Sequence, residues 1–220
     1  MSNKIVAIGD IHGCLKSMKS LWDKLEPHKD ALHIFIGDYI DRGPDSKGVV
    51  DFLIEKQEER KCIFLRGNHE QMLLKALEDN NLNNWIINGG QSTLDSYDAG
   101  MDINKIPDNH INFFKKTLLY YETENFFFVH AGVPPSQTIE ESKSDVDAIH
   151  FYLWGRDHLN AFETPWEKTI IFGHTPRPYP IRKNKMIGID TGCVYDKIGY
   201  GKLTAVLLPE TEFIQQVSID

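Results

Sequence analysis

Five short motifs in the sequence carry side chains that can bind metal ions or transfer protons. They are Gly9-Asp-Ile-His-Gly13, Gly37-Asp-Tyr-Ile-Asp-Arg-Gly43, Gly67-Asn-His-Glu70, His130-Ala-Gly132 and Gly173-His-Thr175. Their ligands are carboxylates, an amide and imidazoles, and none of the motifs contains a cysteine. This chemistry favours divalent manganese, iron or zinc over a sulfur cluster.

The spacing of these residues suits a site for two ions. Asp10 and His12 are two residues apart, so on an extended chain both side chains point the same way and can bind one ion. Asp38 follows the next strand-like run and can bridge two ions through its two oxygens. The second ion would be completed by Asn68, His130 and His174. Two ions about 3.5–4 Å apart can clamp a phosphate and lower the pKa of a bridging water.

The elements that must position these motifs alternate along the chain. Apolar runs at 4–8, 31–36 and 62–65 indicate buried strands, and the segments between and after them have helical spacing. This order predicts a parallel or mixed sheet with helices packed on it. Sites in such sheets form just beyond the strand ends, which is where the motifs lie.

The second half of the chain supplies further strands. A helix is predicted at 108–116, followed by a hairpin from 118–121 and 126–129, and then by strands at 169–172, 186–189, 203–208 and 213–217. We predict a single domain over residues 1–220. Its expected fold is an α/β, αββα sandwich of two mixed sheets flanked by helices, with the dinuclear metal site at the C-terminal ends of the strands. The asparagine-rich segment around Trp85 is compatible with a lid or with a plain loop.

Composition excludes several classes of protein. With 220 residues, 41% of them hydrophobic and 25% charged, the chain can bury a full core. A net charge of −8 argues against a nucleic-acid polymer as partner. No apolar run reaches the roughly 18 residues of a membrane span, and the N-terminus does not resemble a signal peptide. The spacing of Cys14, Cys62 and Cys193 suits neither a disulfide framework nor a zinc site. We expect a cytoplasmic protein with no membrane partner, and its oligomeric state is open.

The five motifs, in this order, resemble the signature blocks of the PPP-type metallophosphoesterases, the calcineurin-like group that includes serine/threonine protein phosphatases. The resemblance extends from about residue 4 to about residue 192. It implies a hydrolase with two divalent ions, manganese being expected in vitro and iron or zinc the alternatives. The implied ligands are Asp10, His12 and Asp38 for one ion, and Asp38, Asn68, His130 and His174 for the other.

The resemblance also implies roles for residues beside the ions. His69 would be the general acid, oriented by Asp41, while Arg42 and Arg156 would hold the phosphate oxygens. Arg156 lies in Leu153-Trp-Gly-Arg-Asp157, a block that varies more between subfamilies. The implied reaction is in-line attack on phosphorus by a hydroxide that bridges the ions, with His69 protonating the leaving group.

Two substrate classes remain open. The blocks GDYIDRG and RGNHE favour a serine/threonine protein phosphatase acting on phosphorylated protein, similar to the compact bacterial and phage enzymes. The alternative is a hydrolase of dinucleoside polyphosphates such as diadenosine tetraphosphate. Thr175 and Pro176 follow His174 where symmetrical hydrolases tend to have an aromatic residue, which leaves the asymmetrical ones open. A catalytically inactive scaffold is disfavoured because every expected ligand is present.

Overall fold

Strands and helices alternate through residues 4–220, which the computed structural model describes. The strands are β1 (Ile5–Ile8), β2 (Leu32–Phe35), β3 (Cys62–Phe64), β4 (Tyr120–Glu122), β5 (Phe126–Val129), β6 (Thr169–Phe172), β7 (Ile181–Lys183), β8 (Met186–Gly188), β9 (Asp190–Thr191), β10 (Lys202–Leu208) and β11 (Glu212–Val217). The α-helices are α1 (Leu15–Lys24), α2 (Ser46–Lys56), α3 (Asn68–Asp79), α4 (Asn83–Trp85), α5 (Gln91–Ser96), α6 (Asp108–Lys116), α7 (Ile139–Ser144) and α8 (Ala148–Trp154). A kinked segment, Ile86–Gly90, lies directly between α4 and α5.

The strands form two mixed sheets. In the first sheet the order is β11-β10-β1-β2-β3, with β9 also paired to β10. Strands β1, β2 and β3 are parallel to one another, whereas β10 is antiparallel to β1. In the second sheet the order is β4-β5-β6-β8-β7, and its central strands β5, β6 and β8 are parallel. The parallel centres bring the ends of the motif-bearing strands to one edge of each sheet.

The two sheets pack face to face with helices outside, so the fold is the αββα sandwich. Alternate residues of β1 show why. Ile5 and Ala7 face the core between the sheets, whereas Val6 and Ile8 face the helical layer. Strand β5 divides in the same way, because Phe128 joins the core between the sheets and Phe127 joins a separate core under α7 and α8. Strands buried on both faces read as continuous apolar runs, which is the pattern in the sequence.

Most of the predicted elements are present within a few residues of their expected bounds. The hairpin of β4 and β5 is antiparallel as predicted, with Tyr121 opposite Phe128. Sequence reasoning missed β7, β9, α5, α7 and α8, which are two to seven residues long. Elements this short carry too few periods of the apolar pattern to be recognised. Within residues 4–220, no helix is both long and apolar enough to cross a membrane.

Candidate active site

The five motifs meet at the edge where the two sheets present the ends of their parallel strands. Asp10 follows β1, Asp38 follows β2 and Asn68 follows β3, all in the first sheet. His130 and His174 follow β5 and β6 of the second sheet. All five are buried, with at most 7% of each exposed. Both sheets therefore contribute side chains to a single cluster.

Five residues other than glycine in these motifs have left-handed backbone conformations. Positive φ angles, between +47° and +72°, occur at His12, Asp38, Asp41, Arg42 and His174. Residues other than glycine rarely adopt this region, and such strain concentrates at functional sites. The expectation that Asp10 and His12 lie on an extended chain is therefore wrong, since the chain turns sharply at His12. The turn allows the loop to bend back over the strand ends.

Two sets of possible ligand atoms share Asp38. One set combines Asp38 with His12 and His69, the other combines it with His130 and His174, and the atoms within each set lie within 4.8 Å of one another. His12 Nε2 is 3.5 Å from Asp38 Oδ2, while His130 Nε2 is 3.4 Å from Asp38 Oδ1. Each oxygen of Asp38 thus faces a different imidazole. This is the arrangement that a carboxylate bridging two cations requires.

The remaining donors surround the same space. Asn68 Oδ1 lies 2.9 Å from His130 Nε2 and 2.8 Å from His174 Nδ1. Asp10 Oδ1 and His174 Nε2 are buried without any hydrogen-bond partner among residues 4–220. Buried polar atoms without partners are costly, and a bound cation would satisfy them. The donors are hard oxygens and imidazole nitrogens, so the residues present fit divalent metal ions.

The charges in the cluster are strongly coupled. Although burial opposes ionisation of Asp38, the charge of His130 holds the pKa of Asp38 well below its usual range. Burial also opposes a charge on His130, but Asp38 prevails and raises the pKa of His130 to about 9. Burial, reinforced by the charge of Asp190, raises the pKa of Asp10 well above its usual value. Asp38 therefore favours a positive charge beside it, which bound divalent cations would supply in place of the proton on His130.

Two imidazoles are kept neutral. Burial lowers the pKa of His12 to about 3 and that of His174 to about 2. Among the other charges acting on His174 are those of His130 and Arg156, which lower its pKa further. A neutral imidazole has a free lone pair, which is the form that binds a metal ion.

His69 and Asp41 form a hydrogen-bonded pair at the rim of the cluster. His69 Nδ1 lies 2.6 Å from Asp41 Oδ2, and His69 Nε2 is buried with no partner in the residues that the structure describes. Burial lowers the pKa of His69 to about 4 and raises that of Asp41 to about 8, because it disfavours charge on either group. When Asp41 is protonated and His69 is neutral, one proton lies in the hydrogen bond between Asp41 Oδ2 and His69 Nδ1. The imidazole then carries its own proton on Nε2, the nitrogen that is free to donate. The geometry therefore allows His69 to act as a proton donor.

The two arginines are exposed, unlike the rest of the site. Arg42 Nη1 lies 2.8 Å from His12 Nε2, so its guanidinium reaches the cluster. Arg156 is exposed just after α8, near enough to act electrostatically on His174. Both can present a guanidinium fork to phosphate oxygens.

Several residues that organise the site were not predicted as part of it. Asp190 is a buried carboxylate at the start of β9, and burial raises its pKa to about 6. It follows an apolar run in the same way as the five motifs, so the strand-then-acid signal was present in the sequence. Trp85 and Thr93 hydrogen-bond to Asp41. No local sequence pattern indicates that Trp85 or Thr93 belongs to the site.

Glu70 supports the loops that carry the residues of the cluster. Its Oε2 accepts hydrogen bonds from the backbone N–H groups of Asp38 and Gly67, each at 2.9 Å, and Oε1 accepts one from Tyr39 at 2.8 Å. The buried carboxylate thereby joins the loop after β2 to the loop after β3. A Cβ atom at Gly67 would collide with Asp38 Oδ1, which explains the glycine.

This fold and donor set define a metallophosphoesterase. The model of the calcineurin-like phosphoesterase family matches residues 3–189, and the chain belongs to that family, which depends on divalent metal ions. Over 98% of its length the chain is 31% identical to the asymmetrical bis(5'-nucleosyl)-tetraphosphatase PrpE of Oceanobacillus iheyensis, covering 92% of that relative. A relative of the same name from a Geobacillus species is 32% identical, with 96% of this chain and 93% of the relative covered.

The fold is also that of known protein phosphatases. A serine/threonine phosphatase structure from Saccharomyces cerevisiae, with similarity to human phosphatase PP5, superposes with a TM-score of 0.64 at 17% identity. The match covers 99% of this chain and 80% of that one. At this level of identity, the likeness describes the fold alone.

Proposed function

We propose that this protein hydrolyses dinucleoside tetraphosphates asymmetrically, giving a nucleoside triphosphate and a nucleoside monophosphate. The observation that carries the proposal is the similarity, over nearly the whole chain, to relatives named asymmetrical bis(5'-nucleosyl)-tetraphosphatases. Between the two substrate classes open at the level of sequence, this favours the nucleotide over the phosphorylated protein. Thr175 and Pro176 after His174 agree with the asymmetrical type.

The proposed metal ligands are the residues of the buried cluster: Asp10, His12, Asp38, Asn68, His130 and His174. Divalent ions bound there would supply an activated water as nucleophile and offset the charge of the phosphate. Asp38 is the negatively charged residue that the two donor sets share. Glu70 fixes the loop that bears Asp38, so the ligand geometry is set before substrate binds.

The polyphosphate would be held by the exposed arginines. Arg42 and Arg156 lie on different loops at the cluster, so each can contact a different oxygen of the chain of phosphates. Their charge matters because the protein as a whole carries −8. A cationic pair at the site offsets the general repulsion of a polyanion.

His69 would donate the proton to the leaving oxygen, with Asp41 holding Nδ1. A leaving polyphosphate is a weak base and needs little help, whereas an alkoxide needs a proton to depart. We therefore expect replacement of His69 to affect alkyl phosphates more than dinucleoside tetraphosphates. For alkyl phosphates the loss would be about 10²–10⁴-fold.

The test is a comparison of kcat/KM for diadenosine tetraphosphate and a phosphothreonine peptide in manganese, with products separated by ion exchange. We expect the tetraphosphate to be preferred and the products to be ATP and AMP. Two molecules of ADP would contradict the asymmetrical assignment, and a preference for the peptide would favour a protein phosphatase. The Asp38→Asn variant, purified in parallel, controls for contaminating hydrolases because it should lose both activities.

A further inference from the structure

Donors from two neighbouring stretches of chain converge on the carboxylate of Asp41. Trp85 Nε1 lies 3.0 Å from Oδ1 and 2.8 Å from Oδ2, and Thr93 Oγ1 donates to Oδ1 at 2.6 Å. The other partner of Oδ2 is His69 Nδ1 at 2.6 Å. Trp85, Thr93, Asp41 and His69 are each at most 1% exposed. The orientation of this carboxylate is thus determined inside the protein, away from solvent.

The backbone of Asp41 depends on the same neighbours. Its φ of +72° lies in the left-handed region, which an aspartate adopts only at some cost. The N–H of Asp41 donates to Thr93 Oγ1 at 2.9 Å and to Ser46 Oγ at 3.0 Å. Thr93 therefore holds both the backbone and the side chain of Asp41.

A local irregularity brings Trp85 to this place. The chain is kinked at Ile86–Gly90, between α4 and α5, where Gly89 has a φ of +108° and its carbonyl accepts the N–H of Arg42 at 3.2 Å. Gly90 lies so close to the Trp85 ring that a Cβ there would be 2.6 Å from the indole. The segment around Trp85 is thus not a plain loop, because Trp85 and Gly89 contact Asp41 and Arg42.

A buried tryptophan needs an acceptor for its N–H wherever it lies, so the contact of Trp85 with Asp41 assigns no role by itself. The assignment comes from Trp85 and Thr93 together satisfying the one carboxylate whose remaining partner is His69. We propose that Trp85 and Thr93 are positioning residues that hold Asp41 against His69 Nδ1 and so aim His69 Nε2 at the leaving oxygen. The inference rests on the proposed proton donation by His69 and deepens it.

The test uses two substrates that differ in their need for a proton. The leaving group of p-nitrophenyl phosphate departs unaided, whereas the alkoxide of an alkyl phosphate does not. The Trp85→Phe variant keeps the ring and removes the N–H. We expect its kcat for the alkyl phosphate to fall at least about tenfold further than its kcat for p-nitrophenyl phosphate. This difference is smaller than the effect of removing the general acid itself, about 10²–10⁴-fold. A general loosening of the site would lower both rates equally and leave their ratio unchanged.

Matched variants complete the design. Thr93→Val removes the hydroxyl at nearly constant volume and should change the ratio in the same direction, and Thr93→Ser should restore it. Trp166→Phe is the control, because Trp166 is also fully buried but donates to Pro134 O, outside the cluster. We expect both of its rates to equal those of the wild type.

The His69→Asn variant shows how far the ratio of the two kcat values changes when the proton donor itself is removed. If His69→Asn changes the ratio while Trp85→Phe and Thr93→Val leave it within about twofold of the wild type, the positioning role is wrong and proton donation by His69 stands. If His69→Asn also leaves the ratio unchanged, the acid assignment is wrong and the inference falls with it. The proposed substrate is tested separately, by hydrolysis of diadenosine tetraphosphate by the wild type.

Discussion

At the scale of single residues, the cluster depends most on Asp38. Its two oxygens face imidazoles from different donor sets, and its side chain also accepts the N–H of His69 at 3.1 Å. No other carboxylate belongs to both donor sets found in residues 4–220. Loss of its charge should therefore weaken metal binding at both donor sets.

We predict that Asp38→Asn lowers the bound metal measured by elemental analysis, along with hydrolysis. The amide keeps the size of the side chain but removes the charge that offsets the cations. Asp23→Asn, at an exposed position on α1, is the control and should keep the metal content of the wild type. Unchanged metal content in Asp38→Asn would rule out the bridging role.

A second prediction concerns His158, which is buried and has no hydrogen-bond partner at either ring nitrogen within the described part of the chain. Burial, with a smaller contribution from Lys183, lowers its pKa from 6.5 to about 4. Between these values the unfolded chain binds a proton that the folded protein does not. Stability should therefore fall as the pH decreases from about 6.5 towards 4, and His158 would contribute up to about 3 kcal/mol of this loss.

Denaturant unfolding across this pH range measures the effect. The His158→Leu variant replaces the imidazole with an apolar side chain of similar size that cannot be protonated. Its stability should therefore fall less steeply than that of the wild type as the pH decreases. The other buried histidines titrate in both proteins and cancel from the difference. Parallel curves for the wild type and the variant would show that His158 does not contribute.

At the scale of elements, helix α1 is capped by a residue from the other end of the chain. The N–H groups of Lys16 and Ser17 donate to Asp220 Oδ1 and Oδ2 at 2.8 and 2.9 Å. Cys14, at the N-cap position, makes no side-chain hydrogen bond of this kind. The carboxylate of Asp220 therefore satisfies donors that the helix leaves free and also complements the helix dipole.

We predict that Asp220→Ala destabilises the protein by about 1 kcal/mol, the usual effect of losing an N-terminal cap. Chemical denaturation at neutral pH would measure it. Asp23→Ala, further along the same helix, should change stability by less than about 0.5 kcal/mol. Equal effects of the two substitutions would show that Asp220 does not act as a cap.

At the scale of the whole molecule, the core between the sheets joins the two halves of the chain. Ile34 from β2 and Ile171 from β6 belong to this one cluster and are fully buried. The site also draws ligands from both sheets. We therefore propose that the described residues form one cooperative folding unit, in agreement with the single domain predicted from the sequence.

Ile171→Ala tests this proposal. We expect a loss of about 2–5 kcal/mol, as is usual for removing a buried isoleucine side chain. In native-state hydrogen exchange, the most protected amides of β2 and β6 should lose protection by the same amount, because both would exchange through global unfolding. A loss confined to β6 would indicate that the two sheets unfold separately.

The sequence by itself determined the donor types, their order and the strands that carry them. Asp10, Asp38, Asn68, His130 and His174 could be selected because each follows an apolar run, and that relation is local. The αββα fold followed from the same runs, since strands buried on both faces are continuously apolar.

Only the tertiary structure decided which atoms meet. Asn68 Oδ1 and His174 Nδ1 are 2.8 Å apart although 106 residues separate them in the chain. The sequence also could not predict the left-handed turns at His12 and Asp41, or the packing of Trp85 on Asp41. Residue type limits backbone conformation only weakly outside glycine and proline. Distant contacts arise when the sheets pack, because burial then forces each polar group to find a partner.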